Sequence, residues 1–493
     1  MFVCRETYAI VLRAIVPLLL VLSACAPKAP AIKSTAPEIP AQFRHAGPWK
    51  VAMPNDEVVR GPWWEVFGDA TLNRLEQQAA ANSPRLEAAA ARLRQVIATG
   101  DIAIAGSQPQ LEAGVDLGRY EASGNRPDQP SKRAGNVAYA GGRIRIPLQA
   151  SYELDLFGRL GLYREINSER IAAMRASYRS VLLSLQAELA QRYFTLRAAD
   201  AERRIFRQAL ELRRKSRNIV QARRENGLAS KLDFMRVEAE LAATEAEATA
   251  QERRRTELEH QIAVLVGELP ERFRLDAGEL NIEPPVLPVG LPAQLLERRP
   301  DIAEAQRQLA ARNAEIGLAR LAMFPAIRLT AAVGLESFDL ASLLQRDSLI
   351  WSIGAALLQP LLDGGRTKAG VRRTQAQYEE GFAQYKERLL VAFQEVESAL
   401  AALTSLSEQR AQQQHAARYA ADAEELAHAR YQSGVLGLFD FIETQRSRLQ
   451  AERQLLAVKH LQLLSCVGLI RALGGGWETS VSINSSGREA TAR

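Results

Sequence analysis

The 493-residue chain has only three cysteines, Cys4, Cys25 and Cys466, and only five histidines, His45, His260, His415, His428 and His460. The histidines are scattered with no metal-ligand spacing, and Met53, Met174, Met235 and Met323 do not cluster, so no metal site is expected. Paired CxxC, G-x-S-x-G and a phosphate-binding Walker loop are missing as well, which argues against an enzyme and leaves no means of binding or hydrolysing ATP. Beyond the leader, no stretch reaches the roughly 20 uninterrupted apolar residues of a membrane helix. Neither sign of charge dominates. The 63 Lys and Arg are interleaved with 57 Asp and Glu, so the net +6 forms no basic patch and points to no nucleic acid.

What is present begins at the N-terminus. Arg5, the apolar run Ala14–Leu22 and the tetrapeptide LSAC at 22–25 read as a secretory signal ending in a lipoprotein cleavage box. Ser23 and Ala24 are small enough for the peptidase, and Cys25 supplies a thiol for diacylation. The covalent lipid on Cys25 is then the sole attached group, with no other cofactor. The alternatives are an ordinary signal peptide or a membrane anchor, but about nine apolar residues fall short of a span. With Cys4 removed and Cys25 acylated, Cys466 stands alone and no intramolecular disulfide can form. Residues 26–42, rich in Pro, Ala and Lys, read as the start of a tether, and two or more acyl chains make such an attachment stable.

The chain is written twice. RRENGLASKLDF, Arg223 to Phe234, and RYQSGVLGLFDF, Arg430 to Phe441, share R-x3-G-x5-D-F at an offset of 207 residues. At that offset Gly158-Arg159 in DLFGR matches Gly365-Arg366 in LDGGR, Gly227, Asp233 and Phe234 match Gly434, Asp440 and Phe441, and Gly267 matches Gly474. Upstream the offset is 216, pairing Pro84 with Pro300 and Pro109 with Pro325, so one insertion of nine residues between Pro109 and Gly158 reconciles the two. Chance likeness of alanine-rich helices would not keep Gly, Pro and Asp markers in order. The expected organisation is signal peptide 1–24, lipid anchor and tether 25–60, first repeat 61–268, Pro-rich linker 269–292, second repeat 293–474 and a flexible tail 475–493.

Each half reads helix, strand, strand, long helix, turn, helix. Ala70–Ser107 and Ala293–Met323 have helical composition and spacing and end at Pro109 and Pro325. Beyond each proline the period becomes two: Leu111, Ala113, Val115 and Leu117 alternate with polar neighbours, as do Ile327, Leu329, Ala331 and Val333. Return strands follow at about Val137–Leu148 and Leu349–Leu358, with polar turns between, including GNRPDQPSKRAGN. After the elbows, Leu160–Asn226 and Thr367–Ser433 read as very long helices. Tyr178, Leu182, Leu189 and Leu196, repeated by Tyr385, Leu389, Val396 and Leu403, form a heptad seam. At 1.5 Å per residue such a helix spans about 100 Å. Gly227 and Gly434 mark its end, where the chain reverses into a returning helix, Leu232–Gly267 or Phe439–Leu473, because glycine accepts positive φ.

Four strands of about ten residues with one apolar face suit an outer-membrane barrel, yet four cannot close, and in lipid an open edge has no partner for its backbone. Two subunits would give eight strands, filled by side chains. Three would give twelve and a lumen, and a pore favours three.

Taken together and in order, LSAC, WWEVFGDATLNRL, SYELDLFGRL, NGLASKLDF, LERRPDIAEAQ, FPAIRL, LLDGGR and SGVLGLFDFIETQRSRL give the chain a resemblance to the TolC-like outer-membrane factors over nearly all its mature length. The likeness is to the lipoprotein branch, OprM- and NodT-type, serving resistance-nodulation-division efflux pumps. The fold this implies is mostly α with a membrane β-barrel: a homotrimer with a twelve-strand barrel in the outer membrane and a long α-helical barrel across the periplasm, LNIEPPVLPVGLP joining the tandem halves. The function it implies is a passive gated exit duct working with a periplasmic adaptor protein and an inner-membrane transporter of the RND type, anchored in outer-membrane lipid.

The resemblance also implies a gate at the helix tips. Asp440 and Glu443 fall where the family places acidic rings, Glu443 standing where Asp is usual, and Tyr431 and Asp233 fall where it places inter-helix links that hold the closed state. Some members have an arginine two residues beyond the glycine where this chain has Leu436, so a Tyr/Arg/Asp lock of that kind is incomplete here. The plainer readings are that Asp233 and Asp440 are first-turn acids favoured by the helix dipole and that Glu443 is a solvated surface acid. A type I protein-secretion duct and a lipid-anchored periplasmic coiled-coil scaffold are the competing functions. The scaffold has no use for the alternating strands.

Overall fold

The computed structural model of the chain describes residues 61–122, 139–285 and 299–475. Cys25, the signal and tether, most of the loop containing GNRPDQPSKRAGN, residues 286–298 and the tail beyond 475 lie outside the described residues. The chain divides into two compact units, one built from Leu93–Ala173 and Gln306–Gln384, the other from the residues up to Arg92, Met174–Ala305 and the residues from Tyr385 onward. Seven α-helices are described: α1 Ala70–Asn82, α2 Pro84–Ala105, α3 Arg159–Glu225, α4 Lys231–Leu265, α5 Pro300–Leu321, α6 Arg366–Gln432 and α7 Leu438–Ala472. The strands are β1 Gln110–Ala113, β2 Asp116–Ala122, β3 Tyr139–Leu154, β4 Ala326–Ser337 and β5 Leu349–Leu358.

In the first unit the strands form one antiparallel sheet ordered β1-β3-β4-β5, with β2 also on β3. β1 and β2 pair with successive stretches of β3, Ala113 opposite Leu148 and Asp116 opposite Arg145, so they are one strand interrupted at Gly114–Val115. The interruption faces Pro147, which has no N–H to give the ladder; Gly114 N instead donates to the Pro147 carbonyl at 3.0 Å. The sheet therefore has four strands in effect.

Register settles which side chains share a face. Leu335, Val333, Ala331, Leu329 and Ile327 of β4 lie opposite Leu349, Trp351, Ile353, Ala355 and Leu357 of β5, and opposite Ile146, Leu148, Ala150, Tyr152 and Leu154 of β3. Leu117 and Leu111 extend this apolar face across β2 and β1. Trp351 and Ile353 on it are 73% and 79% exposed, which water would not favour and hydrocarbon would. The alternate residues, Glu112, Asp116, Arg143, Arg145, Gln149, Ser151, Glu153, Arg328, Thr330, Glu336 and Ser352, make the other face polar. Among the described residues β5 pairs only with β4, and β1 and β2 only with β3, so both margins of the sheet are open.

Two sequence-based boundaries shift. Ala70–Ser107 is two helices, broken at Ser83: Pro84 forces the residue before it out of the helical region, and Ser83 sits at φ −67°, ψ 120°. β3 runs on to Leu154 rather than stopping at Leu148, because Ala150, Tyr152 and Leu154 continue the alternation.

The elbows between sheet and long helix are capped by acids. Asp155 accepts from Arg159 N and Leu160 N at 2.6 and 2.8 Å, and Asp363 accepts from Gly365 N and Thr367 N at 2.9 and 2.8 Å. Gly158 and Gly365 take φ of 78° and 85°, and Arg159 pairs with Glu153 at 3.2 Å.

In the second unit the heptad positions are interior. Leu189, Leu196, Leu389 and Val396 are fully buried, with Tyr178, Leu182 and Tyr385 packed partly buried against the same clusters. α6 and α7 are each long and apolar enough to cross a membrane by composition, but their Leu389, Val396, Leu400, Leu463, Val467 and Ile470 are spent on this helical core. Cys466 is buried there as a free thiol, and burial pushes its pKa up to about 12, so it stays protonated and unreactive.

Glu76 on α1 is fully buried and neither carboxylate oxygen has a partner. Burial holds its pKa well above the ordinary 4.5, so folding favours the protonated acid. A raised acid favours folding at low pH, and that contribution is lost as pH rises above the unfolded value of 4.5. Glu76→Leu is therefore expected to raise the melting temperature more at pH 8 than at pH 5. Equal shifts at the two pH values, or a lower melting temperature at both, would contradict it.

Candidate gate at the hairpin tips

In the second unit α3 and α4 form one hairpin, and α6 and α7 another. Each long helix ends in a Schellman closure on a left-handed glycine. Gly227 (φ 75°) donates to Arg224 O at 3.0 Å while Leu228 N reaches Arg223 O at 2.8 Å. Gly434 (φ 76°) donates to Tyr431 O at 3.1 Å while Val435 N reaches Arg430 O at 3.0 Å. The duplicated R-x3-G thus has the same backbone role in both repeats.

The returning helices start differently. Ser230 caps α4 in a reciprocal box: its hydroxyl accepts from Asp233 N at 3.1 Å, and Asp233 accepts from Ser230 N and Oγ at 3.1 and 2.8 Å. Asp233 therefore spends its hydrogen bonds within its own turn. The equivalent of Ser230 is Gly437, which has no side chain to cap with, and Asp440 is an exposed acid in the first turn of α7. Glu443, its side chain 55% exposed, stands 3.7 Å from Arg446. Arg446 also pairs with Glu240 of α4, which Arg213 of α3 holds from the other side, and these arginines keep the Glu240 carboxyl below the usual range.

Between the hairpins lies an apolar plug of Val220, Val237, Ala427, Tyr431 and Phe441, with Leu436, Phe234 and Leu438 packed half-buried on it. Tyr431 is 4% exposed and stacks on Phe441, ring centroids 4.8 Å apart and planes 8° from parallel. Burial raises the Tyr431 phenol above its ordinary 10, with Asp233 adding and Arg223 opposing. Of the four residues assigned to a gate, Tyr431 is thus interior, Asp233 lies near enough to act on it through charge, and Asp440 and Glu443 are exposed in the single chain. Sequence reasoning missed the Ser230 cap, although S-x-x-D was there to be read, and the Arg213–Glu240–Arg446 bridge, which no local pattern announces.

A family profile described as Outer membrane efflux protein matches residues 75–268 and 291–475, one match per repeat. The pyoverdine export outer membrane protein OpmQ of Pseudomonas putida is 31% identical over 470 residues, 94% of this chain and 97% of that one. The probable outer membrane lipoprotein SilC of Salmonella typhimurium is 28% identical over 460 residues, 93% of this chain and 97% of that one. The solved outer-membrane channel OprN superposes with a TM-score of 0.81 at 27% identity, covering 92% of this chain and 99% of that structure.

Proposed function

The chain belongs to the outer membrane efflux protein family and is an outer-membrane efflux channel rather than an enzyme; from that premise we propose that three copies close the sheet into one twelve-strand barrel, working with an inner-membrane RND-type transporter and a periplasmic adaptor. The observation that carries the assembly is the sheet itself. One face is continuously apolar, the other polar, and both margins are open. In hydrocarbon an unpaired strand edge is untenable, so β5 of one copy must meet β1 and β2 of the next. With three copies the polar face surrounds a lumen. Energy has to come from the transporter, because this sequence has no nucleotide-binding loop. Cys25 carries the lipid in this reading, supported by LSAC and by the likeness to a relative named as a lipoprotein; a mature N-terminus beginning at acylated Cys25 in mass spectrometry checks it, and an unmodified Cys25 refutes it.

The hairpin tips act as the gate, with Asp440 and Glu443 as acidic rings. Three like charges about 7 Å apart at an effective dielectric of 20 repel by roughly 2–3 kcal/mol per pair, which attracts cations and makes closure depend on the apolar plug. In planar bilayers the wild-type protein is expected to conduct with cation preference, and the double variant Asp440→Asn, Glu443→Gln is expected to lose that preference. A conducting wild type with unchanged selectivity in the variant returns both acids to the solvated surface. A wild type that never conducts refutes the channel.

A further inference from the structure

We propose that Arg223 is the clasp that keeps the two hairpin tips of a subunit together, supplying from the first repeat the cation that Leu436 does not supply from the second. The inference rests on the gate reading above. Arg223 sits in the last turn of α3, yet its guanidinium lies 4.5 Å over the Tyr431 ring of the other hairpin. Its Nη2 donates to Tyr431 O at 2.8 Å and to Gln432 O at 3.2 Å. Those carbonyls belong to the last turn of α6, where the helix carries its negative end, and the Tyr431 carbonyl is shared with Gly434 N. One side chain thus caps a helix of the opposite hairpin, stacks on its buried tyrosine and, through Tyr431 on Phe441, reaches α7.

The repeats make this assignment specific. The equivalent of Arg223 at the 207-residue offset is Arg430, an exposed residue whose carbonyl serves its own turn, accepting Val435 N and Leu436 N at 3.0 and 3.2 Å. The equivalent of Tyr431 is Arg224, which lies 5.0 Å over Phe234 as Tyr431 lies over Phe441. The duplicated motif has therefore diverged into one repeat that reaches across and one that receives. The Leu436 side chain packs half-buried on the apolar plug. Any motion that parts the two tips has to break the Arg223 contacts, so their strength adds to that of the plug and of the Arg446–Glu240 bridge in setting how readily the gate opens. Lysine is a poor substitute, because an ammonium can reach a carbonyl but cannot lie flat on a ring while donating from its edge.

The test is single-channel recording of the full-length assembly in planar bilayers, with melting of the same samples. Arg223→Ala is expected to raise the open-to-closed ratio roughly tenfold per subunit, the size of a lost charge-assisted hydrogen bond and stack, and Arg223→Lys to raise it by less. Combined with Tyr431→Leu, the alanine change should add less than it does alone, because both remove the ring stack while the bonds from Arg223 to the backbone carbonyls remain to be lost. A wild-type pore that gates identically in Arg223→Ala overturns the clasp, as does full additivity with Tyr431→Leu. If Arg223→Ala fails to assemble, Arg223→Lys carries the test, and wild-type gating in it also overturns the clasp. A wild type that forms no pore refutes the channel itself.

Discussion

Gly334→Val is expected to leave almost no protein in the outer membrane and no conductance. Gly334 is in the middle of β4, opposite Pro147 of β3. A Cβ at 334 would stand 2.4 Å from Ile146 O and 2.8 Å from Pro147 Cα, and both obstacles are backbone of the central strand. Neither can yield without parting the β3–β4 ladder, on which the whole sheet depends. The loss belongs among the exceptional core changes, above about 4 kcal/mol. Gly354→Ala on the neighbouring strand is the control: its Cβ would meet only the Thr330 hydroxyl, at 3.3 Å, and that side chain can turn aside. Wild-type levels of Gly334→Val in the outer membrane would mean that the sheet is not packed as described.

Asp200→Ala is expected to destabilise the helical unit by about 3–5 kcal/mol, the size seen when a buried charge loses its partner. The Asp200 side chain is 2% exposed and sits between Arg197 and Arg255, accepting from them at 3.1 and 2.8 Å, and it takes the Gly278 amide at 3.1 Å. Arg197 is also bonded to Tyr193 Oη and Asp276 O at 3.0 and 2.7 Å, and Tyr193 donates in turn to Asp69 at 2.6 Å. Burial and the Asp69 carboxylate push the Tyr193 phenol up to about 12. Together these bonds strap the segment from Phe273 to Leu280 onto α3 and α4. Without Asp200 the buried Arg197 guanidinium loses its acid and Arg255 keeps only Glu259, and the strap should become sensitive to protease. Urea midpoints of the wild type and the variant measure the loss; a difference below about 1 kcal/mol would show that the network is ornamental.

Much of this architecture was legible because it is periodic. Leu189, Leu196, Leu389 and Val396 announced their burial through the heptad, and Trp351 and Ile353 announced their shared face through alternation. Glycines at the tips could be read because a helix end that reverses direction favours positive φ, whereas those at the elbows stood out only as markers of the repeat. The misplaced boundary at Ser83 came from following apolar spacing through Pro84, although a proline at the first helical position starts a helix as readily as it ends one. The break between β1 and β2 was hidden because its cause, Pro147, sits more than thirty residues downstream on the facing strand. The candidate gate divides in the same way. Its residues could be placed at the tips from the repeated motif, but Asp233 turning back on Ser230 and Arg223 crossing to Tyr431 depend on how two distant hairpins meet. Residue types alone do not specify such contacts.

Native mass spectrometry of the detergent-extracted, full-length protein tests most directly whether open sheet margins are sealed by neighbouring copies. The account predicts a single dominant species of three chains, stable enough to survive transfer into the gas phase. A monomer that retains its β-structure in detergent, or a closed species of two chains, would contradict it.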